Sequence, residues 1–135
     1  MSILKIFISY FLTTVVFLII DLTWLGFIAK DLYKKYLGHY LTDNVNWVAA
    51  IIFYLLFIIG ISIFAIYPAV NKNSSLNAVI LGFLFGFFTY ATYDLTNLAT
   101  LKDWPITIVI IDILWGSFLT ASVSLAGFYI IKYIK

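Results

Sequence analysis

Apolar positions gather into four long runs, broken by short polar segments. They extend from about Ile6 to Ile28, Val48 to Tyr67, Leu76 to Leu98 and Ile106 to Ile131. A bilayer core about 30 Å thick is crossed by roughly 20 apolar residues in a helix. Backbone N–H and C=O groups have no water to bond to there, so each run is predicted to be helical. The alternation of barrel strands, about ten residues long, is absent. The pattern therefore predicts an all-α integral membrane protein: an antiparallel four-helix bundle forming a single transmembrane domain over residues 1–135.

The breaks predict where helices begin and end. Asp43 and Asn44 are suited to cap the second helix, and Asn73, Ser74 or Ser75 the third. Asp103-Trp104-Pro105 sets an acidic cap before a proline suited to the first turn of the fourth. Pro68 is expected to close the second. The first run is too long for a cleaved signal peptide, carries Asp21 and lacks a small-residue cleavage pattern, so it is expected to stay as a span. Between the first two spans, Leu32, Tyr33, Tyr36, Leu37, Tyr40 and Leu41 recur at a helical period. Lys30, Asp31, Lys34, Lys35 and His39 fill the opposite face. That predicts a short amphipathic helix over 30–41 lying in the membrane interface. The same pattern also suits a loop helix packed on the end of the bundle.

Composition narrows the function classes. Of 135 residues, 64% are hydrophobic and only 10% charged, with a mean hydropathy of +1.10. So little charge cannot cover a water-soluble globule, which excludes a soluble enzyme, a nucleic-acid binder and a disordered chain. Without cysteine there is no disulfide, thiolate metal site or thiol chemistry. His39 is the only histidine and is expected at the surface, since one imidazole among aspartates does not make a zinc site. No phosphate-binding loop, dinucleotide fingerprint or Ser-His-Asp set is present, so no cofactor, metal or catalytic set is expected. Lysines divide evenly, with Lys5, Lys72, Lys132 and Lys135 on the side of the termini and Lys30, Lys34, Lys35 and Lys102 opposite. The positive-inside count is tied, and the expectation adopted is that both termini are cytoplasmic.

Polar residues inside the spans carry the candidate chemistry. Asp21 lies late in the first span, Asp94 late in the third and Asp112 early in the fourth. Antiparallel packing puts all three toward the face away from the termini, together with Asn97 one turn beyond Asp94. Thr23, Thr92 and Thr96 and the rings of Trp24, Tyr93 and Trp115 fall in the same layer. A charged Asp at the centre of a membrane helix costs about 2.5–3.5 kcal/mol on insertion scales. Each aspartate therefore needs a partner, a wet cavity or a proton. Asp21, Trp24, Tyr93, Asp94, Asn97, Asp112 and Trp115 are the candidate ligand-binding residues. Two other readings stay open: the carboxylates only tie helices together, at about 0.6 kcal/mol per contact, or Asp21 and Asp112 sit solvated at the interface.

Two further patterns stand out. Asp21-Leu22-Thr23-Trp24 is echoed by Asp112-Ile113-Leu114-Trp115, a carboxylate one turn from an indole donor in each case. Gly82 and Gly86 form a GxxxG step, while Gly116, Thr120, Ser124 and Gly127 recur on the fourth helix. Such small-residue stripes permit close helix approach, within one chain or between chains. All four tryptophans lie on the aspartate side, with Tyr10, Tyr67, Tyr129 and Tyr133 opposite, in the manner of interfacial belts.

The stretch Tyr93-Asp94-Leu95-Thr96-Asn97-Leu98-Ala99-Thr100-Leu101 followed by Lys102-Asp103-Trp104-Pro105 resembles the bacterial predicted-membrane-protein family of domain of unknown function 2177. Asp21-Leu22-Thr23-Trp24-Leu25-Gly26, Tyr36-Leu37-Gly38-His39, Asn46-Trp47-Val48-Ala49-Ala50 and Asp112-Ile113-Leu114-Trp115-Gly116 extend the likeness. The resemblance implies a four-span protein of a bacterial inner membrane and carries no activity with it.

Three functions fit these observations. One is binding or transport of a small amphipathic or lipid-like ligand at the carboxylate cluster, by a homo-oligomer, because four helices are few for a pathway. Another is a structural or assembly subunit without a ligand. The last is a lipid- or isoprenoid-modifying enzyme, in which paired carboxylates divide acid and base roles. The balance leans away from catalysis, since no activated nucleophile is visible.

Overall fold

A computed structural model describes residues 1–135, and every regular element in it is a helix. Helix α1 spans Ile3–Thr23 and runs on through a π turn at Trp24–Ile28. The short α2 covers Lys30–Leu37. Helix α3, Trp47–Ile61, passes through a second π turn, Ser62–Ile66, into α4, Tyr67–Asn71. Helices α5, Ser75–Thr100, and α6, Ile106–Ile134, complete the chain. Four continuous helical stretches are long and apolar enough to cross a membrane: Ile3–Ile28, Trp47–Asn71, Ser75–Thr100 and Ile106–Ile134.

The helix ends correct several sequence expectations. Asn46, rather than Asp43 or Asn44, caps α3, its Oδ1 accepting from the Ala49 N–H at 3.1 Å. Ser74 is the cap of α5, accepting from Asn77 N–H at 3.1 Å. Asp103 does not cap α6; its φ is 60°, and Pro105 precedes the helix without a side-chain cap. A left-handed backbone turns the carboxylate away from the helix start, and Pro105 needs no donor satisfied there. Pro68 does not close the second span either. The Tyr67 N–H reaches back five residues to the Ser62 carbonyl, widening the helix just before the ring. That extra width relieves the clash a proline makes with the carbonyl four residues back, so the helix continues to Asn71.

Helix α2 is shorter than the expected 30–41. It stops at Leu37, and a turn over 38–40 follows, closed by the Leu41 N–H on the Leu37 and Gly38 carbonyls. Its apolar face meets protein: Leu37 packs with Trp104, Ile108 and Val109, flanked by Leu32, Tyr33 and Tyr36. The helix thus covers the loop-side end of the bundle.

Small residues bring α5 and α6 together. The Thr120 hydroxyl donates across the interface to the Gly82 carbonyl at 2.6 Å. A Cβ added to Gly82 would meet the Ser124 Cβ at 2.6 Å, and one on Gly86 would meet Thr120 Oγ1 at 1.9 Å. As the number rises along α5 its partner's falls along α6, so the two run in opposite directions. Both stripes are therefore used within one chain. Phe17, Ile58, Ile61, Leu119 and Val123 fill the adjoining core, while Phe7, Phe11, Phe27 and Phe64 project outward, as a lipid-facing surface requires. In hydrocarbon such packing acts through dispersion and close fit rather than through release of water.

Candidate functional site

The Asp-x-x-Trp steps of α1 and α6 meet at the end of the bundle away from the termini. On antiparallel helices this spacing sets each carboxylate level with the other helix's indole. Trp115 Nε1 accordingly donates to Asp21 Oδ1 at 3.3 Å. Trp24 Nε1 donates to the Tyr33 hydroxyl at 3.2 Å, and that hydroxyl donates to Asp112 Oδ1 at 2.7 Å. Between these bonds the two indoles stack, with centroids 4.4 Å apart and planes 8° from parallel. The stack joins α1 to α6 with the offset geometry aromatic pairs favour. Tyr33, on α2, is thus a relay that ties the short helix to α6. Burial, and secondarily the Asp112 carboxylate, push its phenol well above the usual tyrosine range. It remains a proton donor at neutral pH.

Asp94 differs from its neighbours. It is 0% exposed, and neither carboxylate oxygen has a hydrogen-bond partner. The Trp104 indole and Asp112 lie beside it. The Trp104 N–H is buried and equally unpartnered. Asp112 is an acceptor of the same kind and can bond Asp94 only through a proton held by one of the two. An unpaired buried polar group is costly, and native proteins retain few of them.

These groups face a cavity of about 900 Å³, within the range of small-molecule sites, enclosed by all four long stretches and α2. Asp21 and Asp94 lie at its buried inner end, while Lys30 and Lys34 of α2 line it from exposed positions. Phe53 and Phe57 of α3 make an apolar side, and Tyr54 and Tyr90 also line the cavity, the Tyr54 hydroxyl lying toward Asp21. Each aspartate stands about two turns inside the loop-side end of its helix, roughly 10 Å along the axis.

A family model described as predicted membrane protein (DUF2177) matches residues 6–129. The chain belongs to that family. No curated protein matches it, and no solved structure does. The matched stretch of this DUF2177 chain contains every residue that lines the cavity.

Of the seven candidate residues, Asp21, Tyr93, Asp94, Asp112 and Trp115 line the cavity. Trp24 stands behind the wall, stacked on Trp115 and bonded to Tyr33. Asn97 does not line it; one turn beyond Asp94, it lies beside Tyr93 instead. Thr23, Thr92 and Thr96 are exposed and bond carbonyls of their own helices. Their hydroxyls need no distant partner, because a residue one turn back supplies the acceptor. His39 is exposed, with its ring centroid 4.0 Å from that of Tyr40.

Sequence reasoning missed Tyr33, Tyr54, Tyr90, Lys30, Lys34 and Trp104 as members of this DUF2177 site. Tyr90 lies one turn before Asp94 on α5, so helical spacing pointed to it. Tyr33 falls on the apolar face of the amphipathic segment, and spacing within that segment does not show that its hydroxyl meets Asp112. Tyr54 lies beside Asp21 only because α3 packs on α1, and no local pattern signals that.

Proposed function

We propose that this membrane protein binds a small amphipathic ligand in the cavity, with the polar end toward Asp21, Asp94 and Asp112 and the apolar part along Phe53 and Phe57. The observation that carries this reading is Asp94, fully buried at the cavity with both oxygens unpartnered. Asp21 holds an indole donor from Trp115 of the facing helix, whereas Asp94 faces Asp112, which can bond it only through a proton shared between two acids. A ligand bearing N–H or O–H groups supplies what Asp94 lacks. One chain offers four membrane-spanning stretches, few for a pathway of its own. Movement of ligand across the bilayer then calls for a second copy, a homo-oligomer. The natural setting on this reading is a bacterial inner membrane with cytoplasmic termini.

The test is titration of the purified, detergent-solubilised protein with dodecylamine at fixed detergent, followed by tryptophan fluorescence. Trp104 and Trp115 at the cavity make a saturable change the expected result, and Asp94→Asn should remove it. A change that is linear in amphiphile, and identical in that variant, would show partition into the micelle and end the proposal.

A further inference from the structure

The cavity has a polarity as well as a volume. Its inner end is lined by acceptors, Asp21 and Asp94, with Asp112 half-buried beside them. Its outer rim carries the exposed Lys30 and Lys34, both on α2, with one acid, Asp43, on the following loop. Leu25 of the α1 stretch and Phe53 of α3 line the cavity and are 39% and 49% exposed. These two residues give the cavity an apolar edge between the first two stretches. A ligand that fits all three features carries a positive group with N–H donors at its tip, a negative group just behind it, and an apolar tail along that edge.

The tip fits a primary ammonium. Asp94 brings two unpartnered oxygens, and the aromatic side chains of Tyr54, Tyr90 and Trp115 line the same space, a surrounding that suits a cation. The group behind it fits a phosphate, which takes charge-assisted hydrogen bonds from lysines. Building on the amphipathic-ligand reading, we propose that the site holds the phosphoethanolamine headgroup of a membrane phospholipid. The ammonium sits among Asp21, Asp94 and Asp112, the phosphate lies at Lys30 and Lys34, and the acyl chains pass between Leu25 and Phe53. The apolar edge at Leu25 and Phe53 is what assigns the headgroup to a lipid rather than to a water-soluble ester, which has no tail to place there.

Native mass spectrometry of the delipidated, detergent-solubilised protein tests this with dioleoyl lipids that differ only in headgroup. Phosphatidylethanolamine should be retained about tenfold more than phosphatidylglycerol, which lacks the ammonium, and more than phosphatidylcholine, whose ammonium has no N–H. Asp94→Asn should bring ethanolamine and glycerol headgroups to near parity. The double substitution Lys30→Gln, Lys34→Gln, at exposed positions that leave the core intact, should weaken both lipids alike and keep their ratio. Equal or stronger retention of phosphatidylglycerol by the wild-type protein overturns the assignment. So does competition by soluble glycerophosphoethanolamine as strong as that of the lipid. If dodecylamine still saturates the site while headgroups go undistinguished, only the headgroup assignment fails and the binding reading stands.

Discussion

Toward the termini, α5 and α6 touch through glycine, serine and threonine, and aliphatic side chains close the core. Toward the loops, the same helices carry aspartates and large rings, and a cavity of about 900 Å³ lies among them. In the first region Thr120 bonds the Gly82 carbonyl and Ser62 bonds its own helix, and the Ser124 hydroxyl is the one buried side-chain group left without a partner. The second leaves Asp94 and the Trp104 indole without partners. The difference separates two duties along one set of helices. Close packing at one end holds the bundle while the other end keeps unmet hydrogen-bonding capacity, a stability cost of the kind found where proteins bind.

Substitutions that exchange the character of the two ends test this division. The largest effect is expected at Gly86, where an added Cβ would fall 1.9 Å from Thr120 Oγ1 and 2.2 Å from the Gly116 carbonyl oxygen. Gly86→Val should cost about 3 kcal/mol or more by forcing α5 and α6 apart. Thermal melting in detergent followed by size-exclusion chromatography would show the loss; an unchanged melting temperature would mean the stripe does not hold the fold. At the other end, Asp94→Asn should reduce dodecylamine affinity at least about tenfold, near 1.4 kcal/mol. Its melting temperature should hold or rise, because a buried acid without a partner is removed. A large drop in melting temperature would instead make Asp94 part of the scaffold.

Smaller effects follow for single bonds. Thr120→Val keeps the side-chain shape and removes the bond to Gly82, and should cost about 0.6 to 1.7 kcal/mol, the range for polar contacts within membranes. Tyr33→Phe breaks the relay from Trp24 to Asp112, and should speed amide exchange over residues 30–41 while the α5–α6 core keeps its protection. The smallest signal is in pH. The Tyr33 phenol is raised by burial and by Asp112, so the folded state holds its proton more tightly than the unfolded chain does. Its contribution to stability is full below the ordinary tyrosine value of about 10 and is lost as pH climbs above it. Tyrosinate absorbance of wild type and Tyr33→Phe should therefore coincide through about pH 10. An earlier excess in the wild type would show that Tyr33 is not shielded.

Much of the site was legible because its carriers obey helical geometry. Asp21, Asp94 and Asp112 stand at one depth by span position alone, and the Asp-x-x-Trp echo forecast a carboxylate near an indole. What it could not forecast was the crossing, in which Trp115 serves Asp21 while Trp24 reaches Asp112 through Tyr33. That depends on how far α1 slides along α6. Trp24 and Asn97 show the limit from the other side: correct depth did not put them on the cavity wall, because rotation about the helix axis decides which face looks inward.

The chain's own pattern determined the all-helical class, the four spans and the depth of the acidic residues. Hydrocarbon imposes those through length and backbone satisfaction, both local properties. Tertiary structure alone decided that the small-residue stripes meet within one chain, that α2 covers the loop-side end, and that Pro68 rides on a widened turn. It also decided that Asp94 ends without a partner, because orphaning a polar group depends on what every neighbouring helix brings to it, and no single helix records that.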